Sequence, residues 1–170
     1  DYVDIWYLHH IDWETPIEET VRTIADVISA GKVRHWGFSN HRGWQIGELV
    51  HAAARAGAPR PVIAQPYYNA FNRMPETDIL PACEYYGIGV VPYSPLARGV
   101  LAGIYKPGEP PLPETRAGLQ DRRLIQTEWR EESLIAAQKI KDYCESRGTS
   151  IITFAIQWLL NNKLLTGVLG

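Results

Sequence analysis

Four apolar runs in this 170-residue chain stop on groups that can do chemistry: His9-His10, Ser39-Asn40, Gln65 and Tyr93-Ser94. An imidazole can polarise a carbonyl, a carboxamide donates and accepts at once, and a phenol offers a flat ring with a hydroxyl. Each group also has a plainer reading. Ser39-Asn40 could cap a helix, Gln65 could be a satisfied polar group, and His9 and Tyr93 could be core residues at strand ends. Four of them in step are harder to explain that way. In parallel α/β folds the working residues gather where strands end and the following loops begin, so the four ends predict one shared rim.

The elements that must position them alternate along the chain. Strand candidates span 3–8, 33–38, 62–65, 88–93 and 165–169, most of them apolar on both faces, as in a parallel sheet covered by helices. Between the first two lies Thr15-Pro16-Ile17-Glu18, which predicts a capping box with Thr15 as N-cap and Pro16 at the first helical position. Ile17, Val21, Ile24 and Ile28 then recur at helical spacing, and Gly31 supplies a left-handed stop. Further helices are expected over 42–56, 78–86 and 131–147, each followed by a glycine. Residues 106–126 hold Pro107, Pro110, Pro111 and Pro113 and predict a long loop of the kind that serves as a lid. Segment 150–161 is β-rich at its start, but the spacing of Ile152, Ala155, Ile156 and Leu159 predicts a helix.

The first four strands start at 3, 33, 62 and 88, a repeat that suits right-handed βαβ crossovers. Both a (β/α)8 barrel and an open doubly wound sheet fit this repeat. A barrel needs about 250 residues, so five strands would make five-eighths of one. The chain opens on Asp1 inside a strand and closes in another strand-like run, which predicts a piece of a longer polypeptide.

Composition narrows the function. The chain is 45% hydrophobic and 21% charged, with a net charge of -2 and no block of Lys or Arg, so no grip on nucleic acid or acidic lipid is expected. No apolar run nears the ~20 residues of a membrane helix. Cys83 and Cys144 are too few for a disulfide framework and suit a reducing, cytoplasmic setting. Oligomeric state is not readable from the chain.

Four motifs carry a family resemblance. Asp1-Tyr2-Val3-Asp4 with Leu8-His9, Gly31-Lys32-Val33-Arg34 with Gly37-Phe38-Ser39-Asn40, Gln65 with Tyr68-Asn69 and Arg73, and the run from Tyr93 to Leu101 resemble aldo-keto reductases. The nearer likeness is to the branch holding bacterial reductases and potassium-channel β subunits. The resemblance implies an α/β fold, a TIM barrel of which this chain covers roughly strands 4 to 8. It implies a single domain over 1–170 that lacks the first three βα units and the C-terminal end.

In function, the resemblance implies NADP(H)-dependent reduction of small aldehydes or ketones, or the reverse reaction on alcohols. The family works with an Asp, Tyr, Lys and His tetrad, and only the His position lies here, at His9. His10 would then point away from the rim, since successive strand side chains alternate. The 170 residues alone are therefore expected to be inactive. Ser39, Asn40 and Gln65 would hold the nicotinamide carboxamide, and Tyr93 would stack on the ring. Ser94, Pro95, Leu96, Ala97 and Arg98 would follow the pyrophosphate, and Arg116 would reach a phosphate. Where the branch usually has Lys-Tyr, this chain reads Ile104-Tyr105, which leaves NAD(H) open as the cofactor. The other reading is a regulatory subunit that binds NADP(H) with little or no catalysis.

Other chemistries find no motif. Gly87-Ile88-Gly89 opens a strand instead of closing one, so it is no Rossmann fingerprint. His9, His10, His35 and His41 lack metal-ligand spacing, and no metal is expected. No Gly-x-Ser-x-Gly elbow occurs.

Overall fold

A computed structural model describes residues Asp1–Gly170. The backbone forms two compact units. The first comprises Asp1–Tyr67, Arg73–Tyr93 and Leu164–Gly167; the second comprises Tyr68–Asn72, Ser94–Lys163 and Val168–Gly170.

In the first unit β1 (Val3–Leu8), β2 (Val33–Ser39), β3 (Ile63–Gln65) and β4 (Gly89–Val90) alternate with α1 (Ile17–Ser29), α2 (Gly43–Ala56) and α3 (Ile79–Tyr86). All neighbouring strands are parallel and the sheet order is β1-β2-β3-β4. Strands laid down in chain order, with no reversal, follow the winding of a barrel; a doubly wound sheet would change direction at a switch point. Helix α2 meets both α1 and α3. Trp36, Phe38, Ala64 and Val90 are buried in the sheet layer, and Val21, Ile24, Ile46, Leu49 and Leu80 supply the helix layer. Strand β1 has one neighbour, and Tyr2, Val3, Ile5 and Trp6 along it stay exposed.

Local chemistry explains most boundaries. Gly57 and Gly87 end α2 and α3 in the left-handed conformation. Asp78, just before α3, accepts the Gly43 amide at 3.0 Å and so ties the start of α2 to the start of α3. The N-terminus of α1 differs from the capping box expected. The Thr15 hydroxyl donates to Asp12 at 2.7 Å, and Asp12 also accepts the amides of Glu14 and Thr15. An Asx turn thus takes the threonine away from the helix.

Strand β4 is much shorter than the 88–93 run, because Pro92 cannot donate to a ladder. Pairing resumes only as a single bridge between Tyr67 and Tyr93. The expected fifth strand over 165–169 does not join the sheet; Thr166 alone meets β4, its amide donating to Val90 at 2.8 Å.

The second unit is helical. It holds a 3-10 segment Ala97–Ala102, then α4 (Arg122–Thr127), α5 (Glu131–Ser146) and α6 (Ile151–Leu160). Ser150 caps α6 by accepting the Thr153 amide at 3.0 Å, which settles the ambiguous segment as helix. Helix α4 lies at the end of the 106–126 run, which is otherwise loop as expected. Val100, Leu101, Tyr105, Leu124, Leu134, Ala137, Ile151 and Ala155 form one core. Gln138 binds α5 to the chain before it, donating to the carbonyls of Gly103 and Tyr105.

Glu128 lies buried at the end of α4 with Oε1 unpartnered, and burial raises its carboxyl pKa above the ordinary range. A carboxyl raised in the folded state holds its proton more tightly there than in the unfolded chain. Its favourable contribution is therefore complete at acid pH and is lost as pH rises through the folded value. Glu128→Gln is expected to raise the melting temperature at pH 7, with the gain vanishing below about pH 4, the ordinary glutamate range. Thermal melts of both proteins across that range check the sign.

Candidate functional site

The strand ends of the first unit meet through one side-chain network. Asn40, directly after β2, donates from Nδ2 to the His9 carbonyl at 2.8 Å and accepts the Tyr93 hydroxyl on Oδ1 at 3.0 Å. Three of the four predicted chain ends are thereby held by one carboxamide. The fourth joins through Ser39, whose hydroxyl donates to the Gln65 carbonyl at 2.7 Å across the β2–β3 register. Gln65 in turn hydrogen-bonds the Tyr7 phenol, whose pKa burial raises against that bond.

Asn40 has a φ of 59°, a left-handed backbone that few non-glycine residues adopt. Asparagine tolerates this conformation better than most, and the two bonds of its side chain hold it there. One N–H of Nδ2 and one lone pair of Oδ1 remain beyond those bonds, the pair a ligand carboxamide would need. Tyr93 lies beside Tyr67 with ring centroids 5.4 Å apart and planes at 30°, so its ring orientation is fixed on one side.

The histidines depart from the expected alternation. Strand β1 ends at Leu8, so His9 and His10 lie beyond the regular pleat. Their rings stack at 4.1 Å and 38°, and do not face opposite ways. His9 is exposed, and its carbonyl takes part in the Asn40 network.

The remaining predicted contacts belong to the second unit. Ser94, Ala97 and Arg98 all have positive φ, at 56°, 45° and 55°, and Gly99 follows at 104°. Within this run the Ala97 amide donates to the Ser94 carbonyl at 3.1 Å; left-handed residues of this kind can turn the other amides toward an anion. Pro95 and Leu96 complete the turn; Leu96 accepts the amides of Gly99 and Leu101. Asn69 anchors its start. It is fully buried, donates to the Ser94 carbonyl at 3.1 Å, and accepts the amides of Phe71 and Asn72.

Arg116 is exposed and pairs with Asp121 at 3.6 Å. Asp121 caps α4 by accepting the Leu124 amide at 2.8 Å, and that bond, with Arg116 and Arg98 adding to it, holds its carboxyl below the ordinary range. Two guanidinium groups therefore act on one carboxylate, that of Asp121.

Tyr7 and Asp121 were not among the residues the sequence singled out, and Asn69 stood in a family motif without a role. Tyr7 was findable, since alternation from Leu8 puts it on the Gln65 face; Asp121 acts through loop geometry that leaves no spacing signal.

Residues 1–169 match the sequence profile of the aldo/keto reductase family. The chain belongs to this family. Among its relatives are a probable voltage-gated potassium channel subunit beta from Oryza sativa subsp. japonica, 36% identical across 99% of this aldo/keto reductase chain and 52% of that protein. L-glyceraldehyde 3-phosphate reductase from Escherichia coli (strain K12) is 32% identical across 99% of the chain and 49% of its own length. The solved structure of a glycerol dehydrogenase from Gluconobacter oxydans superposes with a TM-score of 0.79 at 29% identity, over 98% of this chain and 49% of that one. The aldo/keto reductase chain spans about half the length of the curated relatives it matches. Its α/β fold is part of a TIM barrel, which the unreversed strand order had separated from the doubly wound alternative.

Proposed function

We propose that this chain supplies the histidine and most of the dinucleotide contacts of an NADP(H)-dependent reductase acting on small aldehydes or ketones. The observation that carries this reading is Asn40, held by His9 and Tyr93 with a donor and an acceptor to spare. When bound, the cofactor supplies the hydride. Asn40 and Gln65 orient its carboxamide, Ser39 braces Gln65, and the Tyr93 ring sets which face is presented. In the second unit, the turn from Ser94 through Pro95, Leu96, Ala97 and Arg98 and the guanidinium of Arg116 take phosphate. His9 polarises the substrate carbonyl, an electrostatic contribution that grows as charge develops on oxygen. The Asp, Tyr and Lys of the family come from outside the 170 residues. The reaction is placed in the cytoplasm, with NAD(H) as the competing cofactor.

The second reading is favoured by the relatives named as potassium channel β subunits, 36% and 37% identical. Here the protein binds NADP(H) and acts as a regulatory subunit with little turnover. Steady-state assays of the full-length protein, with the family's Asp, Tyr and Lys present, using NADPH and a panel of aldehydes, separate the two, since only a reductase consumes NADPH in step with carbonyl.

Binding tests the shared premise. Arg116→Ala is expected to weaken NADPH binding about tenfold, the scale of one charge-assisted hydrogen bond, and to change NADH binding less than twofold. Equal losses for both cofactors would remove the 2′-phosphate role from Arg116 and leave at most a pyrophosphate contact. These measurements use the full-length protein, and its failure to bind either cofactor without substitution would end both readings.

A further inference from the structure

The first unit has a concavity on the helix-facing side of the sheet, bordered by His10 and by His41, whose Nδ1 lies 2.7 Å from the Ser39 carbonyl. It measures about 290 Å³ and opens between the loop after β1 and the first turns of α1 and α2. Leu8, Ile17 and Leu49 give it an apolar lining. Two indoles stand at it, Trp13 at 75% exposure and Trp44 at 59%, both offering ring surface that the core does not use.

Charge at the cleft has one sign. Asp12 and Glu48 line it, and no lysine or arginine does. Two imidazoles share the lining, His10 and His41, and burial disfavours the cationic form of His41; neither brings the fixed positive charge of a lysine or arginine. The positive ends of α1 and α2 point this way, which by itself would favour an anion. At α2, Asp78 takes the Gly43 amide and Gln45 takes that of Arg42. Asp12 takes the amides of Glu14 and Thr15, which precede α1, and no side chain caps α1 itself. Glu18 and Glu19 set carboxylates against that end in the first turn of α1, Glu18 being paired with Arg55 at 2.8 Å.

Exposed indoles beside carboxylates form the recognition surface of an alkylated ammonium group, which is attracted to the ring face and needs little hydration. The volume lies at the small end of ligand pockets. We propose that this cleft binds a small organic cation, with its alkyl groups against Trp13 and Trp44 and its charge toward Asp12 and Glu48. The proposal does not depend on the cofactor contacts: Trp13, Trp44, Asp12 and Glu48 are not among them, although His10 and His41 link the cleft to His9 and Ser39.

Calorimetric titration of the full chain with choline, and with its neutral isostere 3,3-dimethylbutan-1-ol at matched ionic strength, tests it. Choline is expected to saturate, with the alcohol about fivefold weaker. Trp13→Ala, Trp44→Ala and Glu48→Gln should each weaken choline about threefold. All three side chains are exposed, so melting curves are expected to match the unsubstituted protein. The alcohol binding as tightly as choline would overturn the proposal, as would absence of saturation or indifference to all three substitutions. The comparison of the two ligands requires no variant.

Discussion

Trp36→Ala is expected to lower the unfolding free energy by about 3–5 kcal/mol, the usual loss for a large aromatic removed from a core. Trp36 sits in β2 at 1% exposure, and its Nε1 donates to the Pro59 carbonyl at 2.7 Å. Truncation would leave a cavity beneath the helix layer and strip that carbonyl of its side-chain donor. For a chain of this size the melting temperature should fall by roughly 10 °C. Trp36→Phe separates the two contributions. It keeps most of the ring volume and loses the hydrogen bond, so a loss of about 1 kcal/mol is expected. Denaturant unfolding of both variants provides the measurement; a loss under about 1 kcal/mol for the alanine variant would mean that the site collapses around the gap.

The neighbouring residue fails in the opposite sense. A Cβ at Gly37 would collide with the Ile63 carbonyl oxygen and come within 2.5 Å of its Cγ2. The carbonyl belongs to β3, so Gly37→Ala can be accommodated only by parting β2 from β3. A loss of about 3 kcal/mol is expected, the upper part of the overpacking range. The same two strands carry the Ser39 contact to Gln65 one turn of the pleat further on. Cofactor binding under the proposed function should therefore weaken along with stability. Trimming Ile63 to Ala removes the Cγ2 collision and leaves the backbone one, so the double variant should recover only part of the loss. Full recovery would place the constraint in the side chain, and a double-mutant cycle reads the difference directly.

Much of this was legible in the residues. Apolar runs with glycine after each helix marked β1, β2, α2 and α3 almost to the residue, because an apolar run and a left-handed stop are local signals, even though β1 keeps much of its surface exposed. What the pattern missed was decided by competition. Thr15 satisfied its capping signature but found Asp12 three residues back. The 88–93 run kept its β character while Pro92 denied it a ladder. Thr166 reached β4 with its amide and its hydroxyl, yet the segment around it added no strand. At the rim, the order of His9, Asn40, Gln65 and Tyr93 along the chain showed that they end successive strands. It did not show that Asn40 ties two of the others together, since that depends on a left-handed backbone which sequence spacing does not encode.

The thiols bear on how the molecule can be studied. Cys83 and Cys144 are both buried, and burial pushes the Cys83 thiol up to about 12. At neutral pH its reactive thiolate is scarce, since only that form attacks an electrophile. A cysteine placed at an exposed position such as Tyr85 or Leu119 would take a maleimide dye or a spin label with little background from the native pair. Single-site probes for fluorescence or magnetic resonance can thus be installed without first deleting a natural cysteine.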